Sequence, residues 1–150
     1  KPLPIVGPLY QKIHRLIQHN INLIAYHLPL DAHPTVGNNI QLAKLLHWHV
    51  EGPLEPALPQ AISLIGKPQP QAATMTTLTQ ALHEKLNHPP IVIDPTQNKP
   101  LQRIAWCSGA GGSDLEKAYQ AGAEAFITGE IKVLYTLVIC ITLHNFFYGR

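Results

Sequence analysis

Apolar positions along this chain recur with two periods, and each stretch names its element by the period it keeps. Leu9, Ile13, Leu16 and Ile17 fall on one helical face, and Gly7-Pro8 puts a proline in the first turn, where its missing N–H is harmless. This helix is expected to pack that face on a sheet. Ile21 to Tyr26 reads as a buried strand. It ends before Pro29, because the residue preceding a proline is pushed out of the helical region. The segment His27-Leu28-Pro29-Leu30-Asp31-Ala32-His33-Pro34 is then a loop at a strand's C-terminal end. Gly37-Asn38-Asn39 supplies capping chemistry for a helix from Ile40 to about Leu46, with Ile40, Ala43, Leu45 and Leu46 on its inner side.

Val50 to Pro59 carries three prolines and is predicted as an edge strand, followed by a short apolar strand from Ala61 to Ile65. Thr77 is expected to cap a helix through Leu86, with Leu78, Leu82 and Leu86 in one stripe and His83, Glu84 and Lys85 facing water. Ile91-Val92-Ile93 reads as a strand leaving through Asp94-Pro95. Arg103 to Cys107 is another strand, then comes the loop Ser108-Gly109-Ala110-Gly111-Gly112-Ser113, a helix from Asp114 to about Ala121 closed by Gly122, and a strand from Ala125 to Thr128. Strand, glycine loop, helix, strand is a βαβ unit with a right-handed crossover. The pattern is that of one α/β domain, or part of one.

Composition narrows the functions. With 150 residues, 45% apolar and only 13% charged, the chain forms a core and presents a weakly charged surface that suits a partner. A net charge of +2 with scattered Lys and Arg offers no phosphate-tracking stripe, so nucleic acid is not an expected partner. Cys107 and Cys140 are far apart and outside any paired spacing, so neither a zinc knuckle nor a disulfide framework is indicated, which favours a reducing, cytoplasmic setting. Lys1-Pro2-Leu3-Pro4 has no apolar signal-type core and no initiating Met, and reads as an interior piece of a longer chain.

The candidate chemistry lies in loops. In the His27–Pro34 segment, Asp31 is the best metal ligand, because a carboxylate after a strand end is pre-positioned and can bridge two divalent cations. Along an extended chain His27 is too far from Asp31 to share a metal unless the turn at Pro29 folds the loop back. Its other reading is a hydrogen bond that orients Asp31 or the backbone. His33, before Pro34, reads as exposed. Ser108 to Ser113 is either an anion cradle at a helix start or a tight strand-to-helix turn; it matches neither GxGxxG nor a P-loop. His47 and His49 around Trp48 read as surface packing at a helix end. Cys107, Ser108 and Ser113 lack the neighbouring base a nucleophile needs. Glu130, at the end of the last clear strand, is a second-rank site candidate.

The run NINLIAYHLPLDAHPTVGNNIQLAKLL, from Asn20 to Leu46, together with RIAWCSGAGGSDLEKAYQAGAEAFITGEI, from Arg103 to Ile131, closely resembles the bacterial GTP cyclohydrolase 1 type 2 (Nif-three-like) family. The likeness covers residues 1 to 131. It implies an α/β fold with a mixed β-sheet flanked by helices, incomplete here relative to the family. It also implies a ring-like homohexamer, two divalent metal ions (iron, zinc or manganese) and a nucleotide-like small molecule as substrate, some members being credited with opening the GTP purine ring. The family builds its metal site from a His-His-Gly motif, the Asp of HLPLDAHP and a C-terminal Gly-His-His-x-x-Glu motif. Only the Asp carries over, onto Asp31; neither of the other motifs occurs between Lys1 and Arg150.

After Ile131 the family's polar helix-forming segment gives way to the apolar run Val133 to Leu143, too short for a membrane span. Residues 132–150 are therefore read as a divergent tail, from a frameshift or other disruption at about Lys132, with the chain's start likewise missing; a divergent final core strand is the alternative. Two functions follow. One is a metal-dependent hydrolase of the family's type, impaired because most ligands are absent. The other is a non-catalytic oligomeric scaffold or interaction module. A product without a stable fold is a third outcome.

Overall fold

The computed structural model describes residues 4–58, 61–70, 73–93 and 98–129, together with the backbone of 139–142. Its elements in order are α1 (Gly7–Gln18), α2 (His27–Asp31), α3 (Asn38–Leu45), β1 (His49–Pro53), β2 (Leu64–Lys67), α4 (Met75–Leu86), β3 (Ile91–Ile93), β4 (Ile104–Cys107), α5 (Leu115–Gln120), β5 (Ala125–Thr128) and β6 (Ile139–Thr142). The strands form one mixed sheet in the order β1-β2-β4-β5-β6-β3. β4 and β5 are parallel, as are β6 and β3, while the other neighbours are antiparallel. The fold is thus the mixed α/β sheet with helices that the sequence implied. None of its helices among the described residues is long and apolar enough to cross a membrane.

The central strands are buried on both faces, and their two-residue period deals side chains to two cores. Ile104, Trp106, Ala125 and Ile127 meet Ala43 of α3, Leu46 just after it, and Met75, Leu78 and Leu82 of α4. Ala105, Cys107 and Phe126 meet Ala118 and Ala123 from the α5 side. Trp48 packs its ring edge-on to Trp106, with centroids 5.1 Å apart.

The βαβ unit β4-α5-β5 forms as predicted. Its helix closes with Gly122 at φ +79°, Gly122 N–H on the Tyr119 carbonyl and Ala123 N–H on the Ala118 carbonyl, both at 2.9 Å. That paired closure needs a left-handed residue, which glycine supplies without a Cβ penalty. β1 is an edge strand, as its prolines indicated.

Four expectations are corrected. Ile21 to Tyr26 is not a strand: no described strand offers it a ladder, and Leu23 is 79% exposed. The segment 27–31 is a helical turn instead of a loop, because Pro29 falls within the first turn, where no intrahelical N–H is required of it. α1 forms with its early proline but buries none of its residues, and Ile17 is 71% exposed, so it does not pack on the sheet. The cap of α4 is Thr74, with Thr77 three residues on completing a reciprocal capping box. Within the run Val133 to Leu143, β6 lies between β5 and β3; the rest of the run, and Asp94-Pro95, lie outside the described residues.

Candidate functional site

The ends of α2, α3 and β4 meet around one cleft of about 320 Å³, lined by His27, Leu28, Asp31, Asn38, Ile62 and residues 107–110. Asp31 closes α2. Its side chain is only 11% exposed, and its two carboxylate oxygens are treated differently. Oδ1 accepts a short hydrogen bond from the Asn38 side-chain amide, while Oδ2 stands 3.6 Å from His27 Nε2. His27 itself is 85% exposed.

The turn between α2 and α3 holds this arrangement. His33 Nδ1 accepts from the Thr35 amide at 3.2 Å and the Val36 amide at 3.3 Å, so that nitrogen is used inside the turn. The Thr35 carbonyl in turn accepts from Gln41 and Lys44. Gly37 lies so close to the end of α2 that a Cβ there would come within 2.3 Å of the Asp31 carbonyl oxygen.

Behind the cleft, Asn39 fixes α3 to the sheet. It is 1% exposed, donates from Nδ2 to the Ile62 carbonyl at 2.9 Å, and accepts the Ser108 amide on Oδ1 at 2.7 Å. Its own carbonyl takes the Trp106 indole N–H at 3.0 Å. Adjacent asparagines therefore divide the work: Asn38 faces Asp31, and Asn39 locks the helix start to the exit of β4. The sequence reading saw both only as capping residues, since nothing local distinguishes a buried Asn from an exposed one.

The glycine loop is a tight turn in which two amides are already engaged. Ser108 N–H goes to Asn39, and Gly111 N–H goes to Thr128 Oγ1 at 3.1 Å, which donates to the Gly109 carbonyl at 3.0 Å. A Cβ on Gly111 would meet that of Cys107 at 2.5 Å. Burial pushes the Cys107 thiol above its ordinary pKa, the charges of Asp114 and Asp31 adding to the effect while hydrogen bonding with Ser63 and Asn39 opposes it. A thiol held neutral is a poor nucleophile. Ser63, which is buried, donates to Asp114, whose other oxygen receives Lys117 at 3.1 Å.

Of the sequence candidates, His27 and Asp31 are brought together, His33 is turned into its own loop, and exposed His47 and His49 flank buried Trp48 on the α3–β1 connection. Glu130 lies outside the described residues. Asp31 and His27 are an oxygen and a nitrogen donor at a spacing suited to one edge of a divalent-ion shell. No group of three His, Cys, Asp or Glu able to hold a metal occurs among the described residues. The described donors thus fit an edge of such a site and not a complete shell.

A second cavity of about 350 Å³ adjoins the first across Asn38, Cys107, Ser108 and Gly109. Its wall is apolar, formed chiefly by Leu42, Leu45, Leu82, Leu86 and Ile127.

Residues 1–139 match the family model described as Duf34/NIF3 (NGG1p interacting factor 3). The chain is 43% identical over 129 residues to a Pseudomonas aeruginosa protein named GTP cyclohydrolase 1 type 2 homolog, covering 85% of this chain and 49% of that one. A Vibrio cholerae protein of the same name is 42% identical over 132 residues, covering 87% and 52%. The chain therefore spans about half the length of the curated relatives it matches. Among solved structures, one described as protein ybgI, of unknown function, superposes with a TM-score of 0.70 at 32% identity, over 93% of this chain and 57% of that one.

Proposed function

The chain belongs to the Duf34/NIF3 family, and from that premise we propose that the cleft at Asp31 is this chain's share of a divalent-metal site, of the kind used in metal-dependent hydrolysis of a nucleotide-like small molecule. The observation that carries the reading is the carboxylate of Asp31, largely sheltered, anchored on one oxygen by Asn38 and turned on the other toward His27 in a cleft. The relatives' printed names, GTP cyclohydrolase 1 type 2 homolog, support a purine nucleotide as the first substrate to try. A divalent ion bound there would supply positive charge beside the reacting group. The metal is one of two in the proposed complete site, with iron, zinc and manganese as candidates. With no group of three His, Cys, Asp or Glu able to hold a metal among the described residues, the isolated chain holds metal weakly and is catalytically impaired.

The test is to load the chain with Fe²⁺, Zn²⁺ or Mn²⁺, desalt it, count retained metal by mass spectrometry and follow GTP by chromatography. Less than one ion per chain, falling further in Asp31→Asn, with no GTP turnover, is the expected result. Stoichiometric metal unaffected by Asp31→Asn would place the ions elsewhere and contradict the reading.

A second reading, a non-catalytic oligomeric module, is favoured by apolar residues among the first 30 that are each more than half exposed, such as Ile5, Val6, Ile21, Leu23 and Ile24. Exposed apolar surface on that scale marks an interaction site. In this reading the chain is a cytoplasmic homohexameric ring, with neither nucleic acid nor membrane as partner. Sedimentation velocity giving a hexamer without metal or turnover supports it, and a monomer at micromolar concentration contradicts it.

A further inference from the structure

Residues three or four apart on a helix share a face. Leu42 and Leu45 of α3 are one such pair and Leu82 and Leu86 of α4 are another; both pairs line the cavity of about 350 Å³ beside the cleft, together with Ile127 of β5. Leu82 and Ile127 are buried, whereas Leu45 is 42% exposed and marks the rim. The wall is therefore aliphatic from its solvent edge to the sheet.

Polar groups in this lining are few, and two of them are already engaged. Thr128 Oγ1 accepts from the Gly111 amide and donates to the Gly109 carbonyl, and the Gln41 side-chain amide donates to the Thr35 carbonyl. Water in such a space finds little to bond to, so an apolar guest displaces it at low cost. Only at one end does the character change: Asn38, Ser108 and Gly109 belong both to this cavity and to the cleft of Asp31. A Cβ placed on Gly109 would meet nothing within 4 Å, so this residue borders open space at the junction.

We infer that this cavity binds the apolar body of a small amphiphilic molecule, whose hydroxyl or amide end rests at Asn38, Ser108 and Gly109 on the cleft side. Its size follows from the volume. An apolar cavity of about 150 Å³ takes benzene, and one of about 350 Å³ accommodates a body of roughly ten carbon atoms. A purine base is the wrong chemistry here, because its ring nitrogens and exocyclic groups would face leucine methyls and lose their hydrogen bonds to water without replacement. A nucleotide held in the cleft therefore keeps its base outside this cavity. The site needs no metal at Asp31 and stands independently of that reading.

The probes are the linear alcohols from 1-butanol to 1-octanol, with guanosine as the polar comparison. Each is titrated into the 150-residue chain carrying labelled leucine and isoleucine methyls, followed by NMR. The expected result is saturable shifts centred on Leu42, Leu82, Leu86 and Ile127, with affinity rising about fourfold for each added methylene. In Leu45→Trp the indole occupies the rim and the rise stops near 1-butanol, while in Leu45→Ala it continues as in the wild type. Leu45 is partly exposed, so both variants keep the core, and circular dichroism verifies their fold. Affinity that does not grow with chain length, a series unchanged by Leu45→Trp, or shifts at the exposed Leu9 and Ile17 of α1 in place of the cavity methyls overturns the site. Guanosine shifting the cavity methyls at lower concentration than 1-octanol overturns the assigned ligand class.

Discussion

Asn38 donates its side-chain amide to Oδ1 of Asp31 across the turn that joins α2 to α3. The carboxylate is thereby fixed in rotation, and its second oxygen faces His27. Removing the donor in Asn38→Ala leaves Asp31 free to turn. Zn²⁺ affinity is predicted to fall about 10-fold, the lower end of what outer partners of metal ligands contribute. Global stability changes by only about 1 kcal/mol, because the bond lies near the surface. Calorimetric titration alongside urea unfolding separates the two effects.

Gly37→Ala tests the close approach beneath the site. The new Cβ would fall 2.3 Å from the Asp31 carbonyl oxygen and 2.6 Å from that of His33. Both obstacles are backbone, so the turn must move. A loss of about 1–3 kcal/mol in urea unfolding is expected, with weakened Zn²⁺ binding as Asp31 shifts.

Asn39→Ala removes a buried side chain and leaves the part-buried Ser108 amide and Ile62 carbonyl without their partner. Each orphaned buried group costs about 1–3 kcal/mol. This variant should therefore be among the most damaging single changes in the chain, read as a lowered unfolding midpoint.

Cys107 gives stability a pH dependence whose sign follows from its raised pKa. The folded state holds the thiol proton more tightly than the unfolded chain does, so this contribution is complete below the ordinary value of 9.0 and is lost as pH rises above it toward the folded value. The unfolding midpoint of the wild type should fall as pH rises through and above 9.0. Cys107→Ala should show a smaller fall. Equal slopes in the two proteins would refute the assignment.

What could be read from the sequence was whatever depends on neighbours in the chain. The β4-α5-β5 unit is announced by its own residues: a fully apolar strand, a glycine turn, a short helix and Gly122 to end it. Asp31 stands out because a lone carboxylate sits in an apolar stretch beside two histidines. Ile21–Tyr26 was misread because an apolar run states a need for burial, while a strand also needs a partner across the ladder. The position of Pro29 was legible but its effect was reversed, since a proline that would break a helix interior is tolerated in a first turn. The same helical turn then made neighbours of His27 and Asp31, which an extended loop would have kept apart. Asn39 was illegible as an anchor, because its partners Ile62 and Ser108 are distant in sequence and only the packed sheet brings them together.

The most direct test of the account is to diffract zinc-soaked crystals of the chain above and below the zinc absorption edge and locate the anomalous scatterer. The account predicts a peak about 2.1 Å from a carboxylate oxygen of Asp31, absent in Asp31→Asn. Peaks confined to other histidines, such as His47 or His49, with Asp31 bound only to Asn38, would contradict it.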